Sequence, residues 1–311
     1  MTRFVIASEP ETAKEILNSS EFADRPIKES AYELLFNRAM GLHPSVITGG
    51  TSEGFPQPIF SAREEFPTSE DSAKKLVMNC WEYSTGETIL PSKVVGFTRS
   101  KEKVQESVGK EMIFRGTDTV AILLEWTLAR MVVHPDIQAK AQAEIDSVVG
   151  VNRQVADSDL PNLPYLQAIL KETLRVHPPG PLLSWARLSI HDTHVGPHFV
   201  PAGTTAMVNM YAITHDEKIW SNPNEFKPER FMEEDVPIMG SDLRLAPFGA
   251  GRRVCPGKAM GMATAQLWLA QMLQNFRWVP TENGVDLTEC LNLSMEMKSS
   301  LVCKAVPRIS A

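Results

Sequence analysis

The sequence predicts a mainly α fold with small β-sheets. Apolar residues recur at helical spacing over most of the chain from residue 104 onward, in segments bounded by proline and glycine. Short β-type runs, Leu188-Ser189-Ile190 and His198-Phe199-Val200, sit between the turn signals Gly196-Pro197 and Pro201-Ala202-Gly203. No internal repeat is visible, so a solenoid or propeller is excluded.

Taken in order, residues 1–41 open on an apolar run. A helix then begins at Glu9-Pro10-Glu11-Thr12, with Ala13, Ile16 and Leu17 on one face. Leu34, Leu35 and Phe36 close a second short helical piece. Residues 42–103 differ in character. Gly49-Gly50-Thr51-Ser52-Glu53-Gly54 is loop-like, and prolines mixed with acidic pairs show little period, as in a surface linker or partly disordered segment. Periodicity returns with a long helix over roughly 104–133. A second helix runs from Pro135 to the glycine stop at Gly150, and a third from Pro164 to His177-Pro178-Pro179-Gly180. Strands are expected within 182–209 and a helix over roughly 258–275. A terminal hairpin is expected around Leu291, Leu293 and Leu301. Three parts result: 1–41, a linker at 42–103, and a core at 104–311.

With 311 residues the chain can bury a large core, and its 43% hydrophobic and 22% charged content is that of a globular protein. A net charge of −7 argues against nucleic acid, which needs a basic face. Cys80, Cys255, Cys290 and Cys303 show no C-x-x-C spacing, which disfavours zinc and a disulfide framework. His191, His194 and His198 would need a helix to gather them as ligands, and Gly196-Pro197 breaks it. The most apolar internal window, 121–133, contains Glu125 and Arg130, so no transmembrane segment is read and the chain is expected to be soluble or peripheral.

The most informative stretch is Pro-Phe-Gly-Ala-Gly-Arg-Arg-Val-Cys-Pro-Gly-Lys-Ala-Met-Gly at 247–261. It places Cys255 on a glycine-rich loop leading into a helix. Gly249, Gly251 and Gly257 allow backbone geometry and close approach that a Cβ would obstruct. Arg252, Arg253 and the helix N-terminus near Lys258 supply positive potential for a thiolate. A buried structural cysteine in a tight turn is the alternative from the residues alone. The order Phe248-x-x-Gly251-x-Arg253-x-Cys255-x-Gly257 resembles the haem-binding loop of the cytochrome P-450 monooxygenases, in a form similar to the plant A-type members. The resemblance implies the family's fold, with haem b (iron protoporphyrin IX) as cofactor. It makes Cys255 the axial thiolate, the metal ligand that pushes electron density onto iron and favours O–O cleavage. Phe248 would pack beside the sulfur, and Arg253 would pair with a propionate.

Two further motifs acquire meaning in that setting. Lys171-Glu172-Thr173-Leu174-Arg175 and Phe226-Lys227-Pro228-Glu229-Arg230-Phe231 resemble the family's E-x-x-R motif and its partner arginine motif. They imply a Glu172–Arg175–Arg230 network that braces the cysteine loop, using the planar fork of arginine. Phe114-Arg115-Gly116-Thr117-Asp118-Thr119-Val120 is poor helix-forming sequence within the long helix, which marks a place where the ladder opens or the helix kinks. By resemblance it crosses the distal haem face, with Gly116 leaving room for dioxygen and Asp118 and Thr119 guiding protons. From the residues alone Asp118 is solvent-facing and Thr119 back-bonded. Arg115 and Val120 depart from the commonest pattern. Pro181-Leu182-Leu183-Ser184-Trp185-Ala186-Arg187 would line the substrate pocket, with Arg187 either reaching a second propionate or lying on the surface.

The resemblance covers roughly 1–41 and 104–307. Family members are longer, and the anchor and most middle helices that roof the pocket have no counterpart, so the fold is read as incomplete. A tryptophan-x-x-x-arginine pair expected after residue 41 is absent, since Trp81 is followed at +4 by Thr85. The abrupt junctions near 42 and 103 are those of a shifted frame or skipped exon. The implied function is a haem-dependent monooxygenase that inserts one oxygen atom into a C–H bond of a hydrophobic, fatty-acid-like small molecule. Electrons would come from NADPH through a flavoprotein reductase, at the endoplasmic reticulum membrane where the family is typically found. A truncated, non-enzymatic haem-binding or interaction fragment is the other reading. A cysteine-nucleophile hydrolase lacks a histidine near Cys255 in sequence.

Overall fold

Proline and glycine set the helix boundaries. In the computed structural model, which describes residues 3–23, 101–150, 152–182, 187–292 and 294–308, the side chains of 101–115 and of Arg252 lie outside the description. Leu34–Phe36, Gly49–Gly54, Trp81, Thr85, Ser184–Ala186 and Leu293 therefore lie outside it as well. The chain divides into two units, Met1–Ile47 with Val108–Ala311 and Thr48–Ser107; apart from the start of the long helix, everything below belongs to the first.

Helix α1 (Pro10–Asn18) starts at a proline and buries Ala13, Ile16 and Leu17, the stripe its spacing prescribes. Each of those larger side chains contributes about 1.5–3 kcal/mol on burial. Helix α2 (Lys101–Val133) runs without interruption through Gly116–Thr119. The backbone therefore stays helical across the weak stretch. Burial of Val120, Ile122, Leu123, Leu124 and Trp126 on the following turns outweighs the roughly 1 kcal/mol that a glycine costs inside a helix. Helix α3 (Pro135–Val149) stops at Gly150, whose φ of 76° lies in the left-handed region and whose N–H donates to Asp146 O at 3.0 Å. Helix α4 (Pro164–Val176) also starts at proline and ends before His177. A 3₁₀ turn, Asp157–Asn162, joins α3 to α4. Short helices α5 (Met210–Thr214) and α6 (Arg230–Glu233) follow, then α7 (Lys258–Asn275). Asn209 caps α5 by accepting from the Ala212 N–H at 3.0 Å.

Among the described residues the strands make four small sheets. β1 (Phe4–Ala7) pairs in parallel with β5 (Thr205–Val208), which pairs antiparallel with β2 (Arg187–Leu188). β3 (Thr193–Val195) and β4 (His198–Val200) form a hairpin. It carries His194 and His198 on strands, and among the described residues no cluster suits a metal ion. The C-terminal region is more than one hairpin. β7 (Glu289–Leu291) turns back on β8 (Met295–Met297), whereas β9 (Cys303–Pro307) returns to β6 (Phe276–Pro280). Leu301 thus belongs to neither strand pair; it packs against the cluster of Ile122, Trp126 and Ala129 on α2.

Buried glutamines join α3 to the C-terminal sheet. Gln138 Nε2 donates to Trp278 O at 2.9 Å while its Oε1 accepts from Trp278 N–H at 2.7 Å, and Gln142 Nε2 donates to Phe276 O at 2.9 Å. Among the described residues no helix is long and apolar enough to cross a membrane.

Candidate cofactor site

The cysteine loop is folded by its own backbone and by α1. Cys255 N–H donates to Phe248 O at 2.9 Å, Gly249 N–H to Ala246 O at 2.9 Å and Val254 N–H to Gly251 O at 3.2 Å. Gly249 and Gly251 have φ of 71° and 65°. A Cβ on Gly251 would overlap the Leu17 carbonyl oxygen and meet Asn18 Oδ1 at 2.7 Å, so the loop lies directly on the end of α1. Gly257 is different. Its φ is −88°, and a Cβ there would meet no protein atom within 4 Å. The fold does not require glycine at 257; that side of the loop faces open space.

Cys255 is a half-buried free thiol. Burial pushes it above its ordinary range, against the opposing pull of the Gly257 N–H and the Lys258 cation. A thiolate at this position therefore needs a further cation or metal. Phe248 is half-buried. Lys258 Nζ donates to Met239 O at 3.0 Å, and Arg253 Nη2 to Ala23 O at 3.2 Å. Arg187, the first residue of β2, is 3% exposed, which rules out the surface alternative. Burial, and then the neighbouring Arg253 cation, lower its pKa to about 10. Two guanidiniums are thus brought together at one place, a setting that favours anions.

Glu172, Arg175 and Arg230 meet in the interior. Arg175 holds the Glu172 carboxylate bidentately, Nε to Oε2 at 2.8 Å and Nη2 to Oε1 at 2.9 Å, and Arg230 Nε donates to the same Oε1 at 3.1 Å. Glu172 and Arg175 are fully buried. The excess positive charge is spread over carbonyls: Arg175 donates to Thr214 O and Glu225 O, and Arg230 to Ser221 O and Glu225 O. Lys227 N–H adds a bond to Glu172 Oε1 at 2.8 Å. These partners all lie in 214–230. The network pins that segment to α4, and the direct supports of the cysteine loop are α1 and Gly240, where a Cβ would meet Gly249 O at 2.7 Å.

On α2, Gly116 and Thr119 are exposed and three residues apart, hence on one face, while Asp118 is half-buried. A Cβ on Gly116 would also meet nothing within 4 Å. Further along α2, Thr127 is back-bonded, its Oγ1 donating to Leu123 O at 2.6 Å four residues back.

Sequence reasoning missed a buried polar cluster at the end of α4. His177, 3% exposed, stacks on Trp126 with centroids 3.7 Å apart and accepts at Nε2 from Arg130 Nε at 2.9 Å. Its Nδ1 lies 2.6 Å from Glu289 Oε1. The only signals were a histidine directly after a helix and a tryptophan in an apolar helix that needs an acceptor for its N–H, here Met295 O at 3.1 Å.

A family model described as Cytochrome P450 matches residues 97–303. Cytochrome P450 78A5 of Arabidopsis thaliana is 46% identical over 420 aligned residues, covering 99% of this chain and 81% of that protein. Because that alignment is longer than this chain, the relative carries residues that have no counterpart here. Cytochrome P450 78A1 of Zea mays is 55% identical over 205 residues, 64% of this chain and 38% of that protein. Among solved structures, a zebra fish cytochrome P450 with abiraterone superposes with a TM-score of 0.70 at 23% identity, covering 98% of this chain and 93% of that one, a likeness of fold. Another, with progesterone, gives 0.61 at 33% identity over 70% of this chain and 49% of that one. With the family match spanning most of the chain and the 78A5 alignment nearly all of it, the chain belongs to the cytochrome P450 family of haem-thiolate monooxygenases.

Proposed function

We propose that this chain binds haem b through Cys255 and hydroxylates a hydrophobic, fatty-acid-like small molecule, with electrons delivered from NADPH by a flavoprotein reductase. The carrying observation is the cysteine loop: a half-buried thiol whose burial disfavours the thiolate, on a loop held by α1, with open space on the Gly257 side. The residues present fit the cofactor. Arg187 and Arg253 bring two guanidiniums together, suited to the two propionates, and Gly257 and Gly116 leave room that a Cβ would occupy. When bound, the group supplies a metal centre for dioxygen and redox chemistry.

The protein's own share is derived from its residues. Cys255 would hold the group through its sulfur, with Lys258 and the N-terminus of α7 lending positive potential. Phe248 shields the loop from water, and Gly251 lets the loop lie against α1. Glu172, Arg175 and Arg230 keep the 214–230 segment fixed. Thr119, on the exposed face of α2 beside the space at Gly116, and the half-buried Asp118 next to it hold and move protons. Lys258 offers a cation for a reductase surface. The balanced reaction takes the substrate C–H, dioxygen, two electrons and two protons to the alcohol and water. The similarity to 78A5 over 99% of the chain favours this reading over a non-enzymatic fragment.

The test is turnover by the haem-loaded full chain with NADPH, a flavoprotein reductase and a panel of fatty acids under labelled dioxygen. Hydroxylated product carrying one labelled oxygen is expected. Haem uptake without product from any panel member would overturn the substrate class, and no haem uptake would overturn the reading itself.

A further inference from the structure

The cluster around His177 joins three separate elements in series. Arg130 projects from α2, His177 follows α4, and Glu289 opens β7. Arginine is always a donor, so the 2.9 Å contact from Arg130 Nε makes His177 Nε2 an acceptor. The proton then resides on Nδ1, which donates to Glu289 Oε1 at 2.6 Å. The geometry thus fixes one neutral tautomer, in a site where the ring is 3% exposed and stacked on Trp126.

We propose that His177 is a proton-sensitive joint: neutral, it ties α2 to the β7–β8 hairpin through Arg130 and Glu289; protonated at Nε2, it expels the Arg130 guanidinium and frees the last turns of α2 while retaining Glu289. A second proton replaces an acceptor by a donor facing a donor and sets two cations in contact. The same proton strengthens the bond to the Glu289 carboxylate. One end of the series therefore breaks as the other tightens. The groups facing His177 are Trp126 and Arg130 from α2, His215 at the cap of α5, and Glu289 from β7; Arg130 in turn faces Glu172 and Arg175 from α4 and Tyr211 from α5. Burial holds His177 below its ordinary range, with Glu289 opposing and Arg130 reinforcing that shift. His215, lowered mainly by burial, stacks on Tyr211 at 4.0 Å and bonds only to Thr214 and Tyr211, so its protonation separates no elements.

The experiment combines amide exchange by mass spectrometry with a histidine proton-resonance titration of the full chain, the His177 signal being identified by its loss in His177→Gln. As pH falls below 6.5, exchange in peptides covering 127–134, corrected for intrinsic rate, is expected to accelerate about tenfold, while 289–297 stays protected. In His177→Gln, a neutral donor-acceptor side chain, the acceleration is expected to vanish. Arg130→Met should move the His177 midpoint to higher pH and Glu289→Gln to lower pH, a pair of opposite shifts that packing alone does not produce. Exchange in 127–134 that stays flat down to the acid limit of the folded state overturns the proposal. So does an acceleration that persists in His177→Gln, or a common direction for the two midpoint shifts.

Discussion

Gly251→Ala tests how the cysteine loop is built. Gly251 has φ of 65°, and left-handed backbone costs a residue with a Cβ roughly 1–2 kcal/mol. The added methyl also runs into the Leu17 carbonyl and approaches Asn18 Oδ1 at 2.7 Å, so the end of α1 must retreat. Overpacking of that kind costs about 1–3 kcal/mol. The sum, about 2–5 kcal/mol, is a large fraction of the stability of any domain. Gly257→Ala is the control in the same loop: φ is −88° and nothing lies within 4 Å of the new methyl. Reduced unfolded-chain entropy should make it neutral or stabilising by up to about 1 kcal/mol. Urea unfolding of the haem-free protein, followed by circular dichroism, reads both. Gly251→Ala should lower the midpoint and Gly257→Ala should leave it unchanged or raise it. Equal midpoints for Gly251→Ala and wild type would refute the packing argument. Haem uptake by Gly257→Ala then reports on the open space: reduced uptake at undiminished stability is expected if the cofactor fills it.

Glu172→Ala leaves two buried guanidiniums without their carboxylate and should destabilise by about 3–5 kcal/mol in the same urea assay. Because burial raises the Cys255 thiol, site-resolved iodoacetamide labelling of haem-free protein should stay slow at pH 8 and accelerate only above the ordinary thiol value of 9.0; fast labelling at neutral pH would contradict it. Arg187→Met should weaken haem retention, measured as transfer to excess apomyoglobin, because one of the two cations suited to propionates is gone. Thr119→Ala should leave haem content intact but raise the ratio of oxygen consumed to product formed, and an unchanged ratio would remove Thr119 from the proton path.

Much of the fold was legible because local chemistry sets it. Pro135, Gly150 and Pro164 fix helix ends without help from distant residues, and α7 follows directly from the cysteine loop. The residues of the Glu172 network were legible as motifs, yet their carbonyl partners at 214–225 were not, since carbonyls leave no mark in sequence. The weak helix sequence at Gly116–Thr119 does not end the helix: propensity is a small local term, and burial on the next turns of α2 overrides it. The open side of the loop at Gly257 was not legible, because a glycine looks the same in sequence whether a neighbour or open space lies beside it. The parallel pairing of β1 with β5 and the seating of Gly251 on α1 join residues about two hundred positions apart, and no local pattern encodes such contacts. The His177 cluster escaped for the same reason, its members being supplied by three elements.

The central claim is that Cys255 is the sulfur ligand of a bound haem. The carbon monoxide difference spectrum of the reduced full chain tests it most directly, compared with Cys255→Ala. A Soret band at the thiolate position in the wild type, lost in the variant, is the predicted result; the same band in both proteins would contradict the assignment.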